Sequence, residues 1–285
     1  MPQQGVHYFP GHMQKALRQI EEYLKAIDLV VELLDARAPL SSENPLIASR
    51  IKDKARLILL SKQDYADEEV TKAWVEYYGK KDIVAVPADL KKGKIIKLLQ
   101  SASAPLIAKK REKERRFAMK PQPIRVMVVG IPNVGKSTFI NNVVGKKIAV
   151  TGNKAGVTRA QQWIKINEDF ILLDTPGVLP MNYASSEQAK RLALLGSMRE
   201  DVLPTYDLAK DLIAFFKADY PYALKERFGI EDISIKEEDE ILSAIALSRG
   251  LLDGNSPSLD KASYLIIKEF KDGILGRFSL EKPNA

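Results

Sequence analysis

The first two-thirds of the chain alternate short apolar runs with amphipathic stretches. Asp28–Asp35, Arg56–Leu60, Ile83–Val86 and Val126–Val129 are dense in Val, Ile and Leu. Runs of that kind belong to strands buried on both faces. Ahead of the first, Leu17, Ile20, Leu24 and Ile27 recur at helical spacing over Gln14–Ile27. A helix through Trp74 and Tyr78 and another ending near Ser101 follow the second and third strands. Strands alternating with helices predict a mostly parallel α/β sheet flanked by helices. Ala36–Pro45 reads as a polar loop, and Pro87-Ala88-Asp89 as the loop closing the third strand. Trp163–Ile166 and Phe170–Leu173, separated by Asn167-Glu168-Asp169, read as a hairpin. From Ser186 onward the pattern is helical throughout. Helices are expected over Glu187–Arg199, Thr205–Asp219, Ala223–Phe228, Glu237–Arg249 and Ser258–Phe270. The change near Met181–Ser185 divides the chain into an α/β domain, residues 1–180, and an all-helical domain, residues 181–285.

Composition narrows the functional classes. The 285 residues include no cysteine, which excludes disulfides, thiolate metal sites and cysteine nucleophiles and suits a reducing cytoplasm. No apolar run is long enough to span a membrane, and no leader pattern is present. A net charge of +7 admits an acidic partner such as nucleic acid. The excess is concentrated in the connector 109–124. With Arg125 it holds eight basic residues against two acidic ones. Such a run is either a solvated linker helix or a contact for a phosphate backbone.

The most specific chemistry follows the fourth strand. Gly130, Gly135, Lys136 and Ser137 fit G-x-x-x-x-G-K-[ST], the phosphate-binding P-loop. Glycines let the backbone turn so that its N–H groups face phosphate oxygens. Asn133, Val134, Gly135, Lys136, Ser137 and Thr138 are the expected cradle. Lys136 reaches for the β and γ phosphates, Ser137 for Mg²⁺, and the helix from Thr138 turns its positive end to the anion. Asp174-Thr175-Pro176-Gly177 is an Asp-x-x-Gly element at a strand end. There Asp174 is expected to bind Mg²⁺ and the Gly177 N–H to sense the γ-phosphate, with Thr158 closing over both.

The base is chosen elsewhere. Ser61-Lys62-Gln63-Asp64 ends the second strand in the manner of Asn-Lys-x-Asp motifs. In such motifs the aspartate takes two hydrogen bonds from guanine, and the lysine stem covers the ring. With Ser61 in the Asn place, one base contact is expected to be weaker. Ala88 and Asp89, one βα unit later, occupy the place of a loop that contacts guanine O6. These base-recognition strands precede the P-loop, so the order is that of a circularly permuted, Ras-like P-loop GTPase. The water-orienting Gln of Ras-like enzymes is replaced by Val178, which can neither donate nor accept.

Tyr8-Phe9-Pro10-Gly11-His12-Met13, Leu34-Asp35-Ala36-Arg37-Ala38-Pro39, the P-loop, the permuted order and the closing Gly276-Arg277-Phe278-Ser279 together resemble the bacterial YlqF/RbgA-type ribosome-biogenesis GTPases. The resemblance covers nearly the whole chain. It implies GTP hydrolysis coupled to late assembly of the large (50S) ribosomal subunit, with the helical domain on ribosomal RNA. It also implies Mg²⁺ as cofactor, K⁺ held near Asn133, a monomer in the cytoplasm, and His12, on the arm 1–13, as the group that orients the attacking water. His12 as a mere helix cap is the competing assignment. A protein-binding GTP switch that ignores RNA, and an ATPase on the same P-loop, are the competing functions.

Overall fold

The computed structural model describes residues 18, 20–92, 94–145, 163–173, 185–198 and 203–283. Its centre is a six-stranded sheet: β1 (Leu29–Asp35), β2 (Ala55–Ser61), β3 (Val84–Ala88), β4 (Ile124–Gly130), β5 (Trp163–Lys165) and β6 (Phe170–Leu173). The spatial order is β3-β2-β1-β4-β6-β5. Pairing is parallel except for the β5–β6 hairpin. The helices that follow β1 in the sheet region are α1 (Pro39–Ser42), α2 (Pro45–Ile51), α3 (Glu68–Gly79), α4 (Ile95–Arg116) and α5 (Lys136–Val144).

Alternation along β1 sorts its side chains onto two cores. Leu29, Val31 and Leu33 face Leu99 of α4 and Phe139, Ile140 and Val143 of α5. Val30 faces Ile47 and Ile51 of α2, and Leu34 faces Trp74 and Tyr78 of α3. Both faces are covered, as the unbroken apolar runs require. Asp67 begins α3 by accepting the Val70 N–H at 3.1 Å, and Asn44 begins α2 by accepting that of Leu46 at 3.0 Å.

The expected loop Ala36–Pro45 instead holds α1 and the start of α2, each opening with proline at its first helical position. Pro87 and Ala88 lie inside β3 rather than in a loop; β3 is the sheet edge, where a missing N–H costs no ladder bond. The helix expected to end near Ser101 runs through Pro105 to Arg116, so half of the basic connector is helical.

The C-terminal region contains α6 (Ser186–Leu194), α7 (Thr205–Asp219), α8 (Lys225–Phe228), α9 (Glu238–Ser248) and α10 (Leu259–Lys271). It also holds a two-residue hairpin, β7 (Leu252–Asp253) with β8 (Ser256–Pro257), which the helical pattern did not suggest. Its core is built on Leu212, Ile213, Phe216, Ile245, Ile266 and Phe270. The two regions interlock. Ala38 belongs to the helical core, and Leu192 of α6 belongs to the sheet core. Residues 276–283 then return over the sheet region, where Glu281 accepts from the Ser41 N–H at 2.9 Å and Trp74 Nε1 donates to the Glu281 carbonyl at 3.2 Å.

Candidate functional site

Parallel strands put all their C-terminal ends on one edge, and β1 and β4 leave that edge in opposite directions across the sheet. Ligands of open α/β sheets bind at such a switch point. Asp35 ends β1, Ser61 ends β2, Ala88 ends β3, Gly130 ends β4 and Leu173 ends β6. The permuted order therefore does not scatter the motifs. β2 and β4 flank β1, two strand spacings or about 10 Å apart.

The P-loop has the backbone that its glycines predict. A Cβ on Gly130 would lie 2.7 Å from the Leu33 carbonyl oxygen. Gly135 has φ +107, and a Cβ there would meet Leu90 Cδ1 at 2.8 Å. Both positions need glycine. Lys136 opens α5 and donates to the carbonyls of Gly130 at 3.2 Å and Ile131 at 3.1 Å, folded across the loop it would leave for a phosphate. Ser137 and Thr138 follow in the first turn, and Val134 is buried beneath the loop.

Ser61 is fully buried. Its hydroxyl lies 3.0 Å from the Leu34 carbonyl and 2.8 Å from that of Val134. Ser61 ties the base-recognition strand to the P-loop from behind and does not reach outward. Asn142 of α5 makes a second tie, donating to the Leu90 carbonyl at 3.1 Å. Asp64 follows in a single 3-10 turn, Gln63–Tyr65, entered through Lys62 in a left-handed conformation (φ 53). Asp64 and Asp89 both line a cleft of about 510 Å³ bounded by Pro87, Lys92 and Arg277. Asp89 braces its own loop, accepting the Lys91 N–H at 3.0 Å and pairing with Lys92 at 3.1 Å. Ala88 is buried in the β3 pairing with Ser61.

Behind Lys62 stands a buried charge group whose role the pattern Asp35-Ala36-Arg37 did not reveal. Lys62 Nζ is 3.0 Å from Asp35 Oδ2, and Arg37 Nη2 is 2.9 Å from the same oxygen. Burial alone would raise the Asp35 carboxyl, but Arg37 and Lys62 outweigh it and hold it well below the usual carboxylate range. Burial also draws the Lys62 ammonium below its ordinary value, with Asp35 only partly offsetting it. Arg37 is 0% exposed and donates on to the Phe270 carbonyl at 3.1 Å, at the end of α10. The only signal in the sequence was an acid and a base bracketing one alanine at the end of an apolar strand.

Asn133, in left-handed conformation (φ 58), donates its amide nitrogen to the Gly196 carbonyl at 2.7 Å. The amide oxygen is the atom a cation would use. His12, Thr158, Asp174 and Gly177 lie outside the described residues. Among the described residues no cluster of three or more His, Cys, Asp or Glu side chains could hold a metal. A P-loop Mg²⁺ site needs none, because it is built from a hydroxyl, phosphates and water, and Ser137 in the first turn of α5 fits that donor set.

The cations of the helical region are mostly committed. Lys190 pairs with Asp211, Arg191 with Glu281, Lys225 with Glu231 and Arg227 with Glu269. Along the end of α4 and just beyond it, by contrast, Lys109, Lys113, Arg115 and Arg116 of the helix and Lys120 after it are exposed and have no ion pair among the described residues. Beside them, Phe117 is 62% and Met119 51% exposed. Lys110 ties this part of the helix to Asp28 at 2.7 Å, and Arg125 of β4 pairs with the same carboxylate at 3.2 Å. No described helix is long and apolar enough to cross a membrane.

Comparison with known proteins points the same way. A family model described as 50S ribosome-binding GTPase matches residues 125–240, from β4 into α9. Ribosome biogenesis GTPase A of Bacillus cereus is 42% identical over 279 residues, 98% of this chain and 94% of that protein. The protein of the same name from Thermotoga maritima is 34% identical, with 97% and 94% covered. Among solved structures, GNP-bound YlqF from T. maritima superposes with a TM-score of 0.67 at 31% identity, covering 95% of this chain and 99% of that one. A GDP-bound YlqF structure gives 0.68 at 30% identity, covering 93% and 99%.

Proposed function

The chain belongs to the ribosome biogenesis GTPase A family, whose members hydrolyse GTP, and from that membership we propose that it spends GTP during late assembly of the large (50S) ribosomal subunit, in contact with ribosomal RNA. The observation that carries the nucleotide assignment is the hydrogen bond from Ser61 to the Val134 carbonyl, which abuts the base-recognition strand on the P-loop. Guanine then lies over the Lys62 stem with its N–H groups on Asp64. The phosphates lie in the loop Asn133–Thr138 with Lys136 on the β and γ groups.

Mg²⁺, when bound, neutralises phosphate charge; Ser137, Asp174 and Thr158 are its protein ligands in this reading. Asn133 Oδ1 would be the atom that holds K⁺ beside the phosphates. Gly177 takes the γ-phosphate at its N–H. Val178 leaves the water without a partner of its own, so His12, carried in on the N-terminal arm, orients it; an imidazole can hold a water near neutral pH. Because Val178 supplies no group for the water, turnover is slow until the subunit is bound.

RNA contact uses two surfaces, the helical region 181–285 and the exposed cations of α4. In this reading residues 1–180 carry the nucleotide and share the RNA contact, through α4, with residues 181–285. The reading places a monomer in the cytoplasm, where ribosomes are assembled. Its test is GTP turnover with and without purified large subunits. Stimulation that weakens as salt rises is expected, because phosphate contacts release counterions. Turnover indifferent to the subunit at every salt concentration would leave the protein a switch for some other partner.

A further inference from the structure

The turn that carries Asp64 is held from outside. Gln63, Tyr65 and Ala66 present three carbonyls, and each accepts from the chain's last residues. Arg277 Nε donates to the Ala66 carbonyl at 2.8 Å, and Arg277 Nη2 to that of Gln63 at 3.2 Å. The Phe278 N–H donates to Tyr65 at 3.0 Å. Asp67, which closes the turn and caps α3, donates its N–H to Ser279 Oγ at 3.2 Å. The Tyr65 ring presses on the backbone of Gly273, where a Cβ would lie 2.4 Å away. The turn itself is one 3-10 turn entered through a left-handed lysine, a conformation that a non-glycine residue holds only under outside constraint.

We infer that Arg277 is a positioning residue for guanine recognition: by bridging the Gln63 and Ala66 carbonyls, it fixes the turn that aims the Asp64 carboxylate at the base. The inference rests on the assignment of Asp64 to guanine. A planar guanidinium spans two carbonyls in a fixed fork, whereas an ammonium offers its donors from a single freely rotating centre and does not fix their separation. Arg277 stands on a tail whose next residues are bonded to the helical region and to the buried arginine. The Ser279 N–H donates to the Tyr220 hydroxyl at 3.3 Å, and the Leu280 N–H to the Arg37 carbonyl at 2.7 Å. Seating of the helices is thereby linked to base affinity, and such a linkage runs equally in both directions.

The test compares binding of GDP and inosine diphosphate, which lacks only the exocyclic amine, to wild type, Arg277→Ala, Arg277→Lys and Asp64→Asn. A hydrogen bond to a charged acceptor corresponds to roughly tenfold or more in affinity, so the wild type prefers GDP by at least that factor. Both Arg277 variants are expected to lose most of this preference, with GDP bound about tenfold more weakly. The Arg277 side chain is about half exposed, so neither change opens a core cavity; Arg277→Lys carries the test if the alanine variant does not fold. An Arg277→Ala protein that keeps the wild-type preference while Asp64→Asn loses it would overturn the inference and leave the base assignment standing. Full restoration by lysine would also overturn it. If Asp64→Asn keeps the preference, the base assignment fails and the positioning role falls with it.

Discussion

Arg37 is the residue on which the two halves of the molecule meet. Its guanidinium satisfies Asp35, reaches the end of α10, and lies 5.3 Å from the centre of the Phe270 ring. Buried charge pairs contribute little compared with well-packed apolar residues, but breaking one strands the partner. Arg37→Met keeps much of the volume and leaves Asp35 with Lys62 as its one charged partner among the described residues, beside the backbone N–H of residue 37. Its expected cost is about 3–5 kcal/mol, read as a lower denaturant midpoint. A midpoint within the error of wild type would show that the pair carries no such weight. Nucleotide binding should suffer as well, because Lys62 is turned by the same carboxylate.

At the scale of elements, α4 separates what sequence could show from what it could not. The strands were legible because β1, β2 and β4 are apolar on both faces, and the P-loop because its glycines and lysine have fixed spacing. The basic connector was legible as a run of charge. That it continues a helix through Pro105 was not, since proline is usually a stop and packing of Ile95 and Leu99 on the sheet overrides it here. Nor could local patterns show that Arg277 bonds a loop more than 200 positions away, or that Ser61 turns inward. Those depend on which strands become neighbours. Lys113→Glu combined with Arg116→Glu should weaken large-subunit binding and flatten its salt dependence by roughly one unit of slope per lost phosphate contact. The same reversal at Lys190, already paired with Asp211, should change binding far less. Equal effects at both places would argue against a specific role for α4.

For the whole molecule, one buried acid predicts how stability follows pH. Glu32, in the middle of β1, is raised by burial to about 7, against the pull of Arg56, whose guanidinium is 2.6 Å away. Glu43, also paired with Arg56, and the buried Tyr78 hydroxyl complete its surroundings. The folded state therefore holds this proton more tightly than the unfolded one, whose value lies near 4.5. The stabilisation is complete below the unfolded value and is lost as pH rises through about 7. From pH 6 to pH 8 the loss is about 1.4 kcal/mol, and Glu32→Gln should remove that slope in chemical denaturation. A wild-type slope unchanged in the variant would assign the proton elsewhere.

All of this presumes that Asp64 and Lys136, carried on strands whose order along the chain is reversed, serve one nucleotide. Displacement of labelled GDP by unlabelled GDP, xanthosine diphosphate and ADP measures that directly. Xanthine carries a carbonyl where guanine carries its amine, so Asp64→Asn, which presents an N–H in place of an oxygen, is expected to bind xanthosine diphosphate at least as well as GDP. Wild type should bind GDP far better than either competitor, and Lys136→Ala should lose all three together. An unchanged ranking in Asp64→Asn, with Lys136→Ala still abolishing binding, would mean that the phosphate loop works with a base site elsewhere.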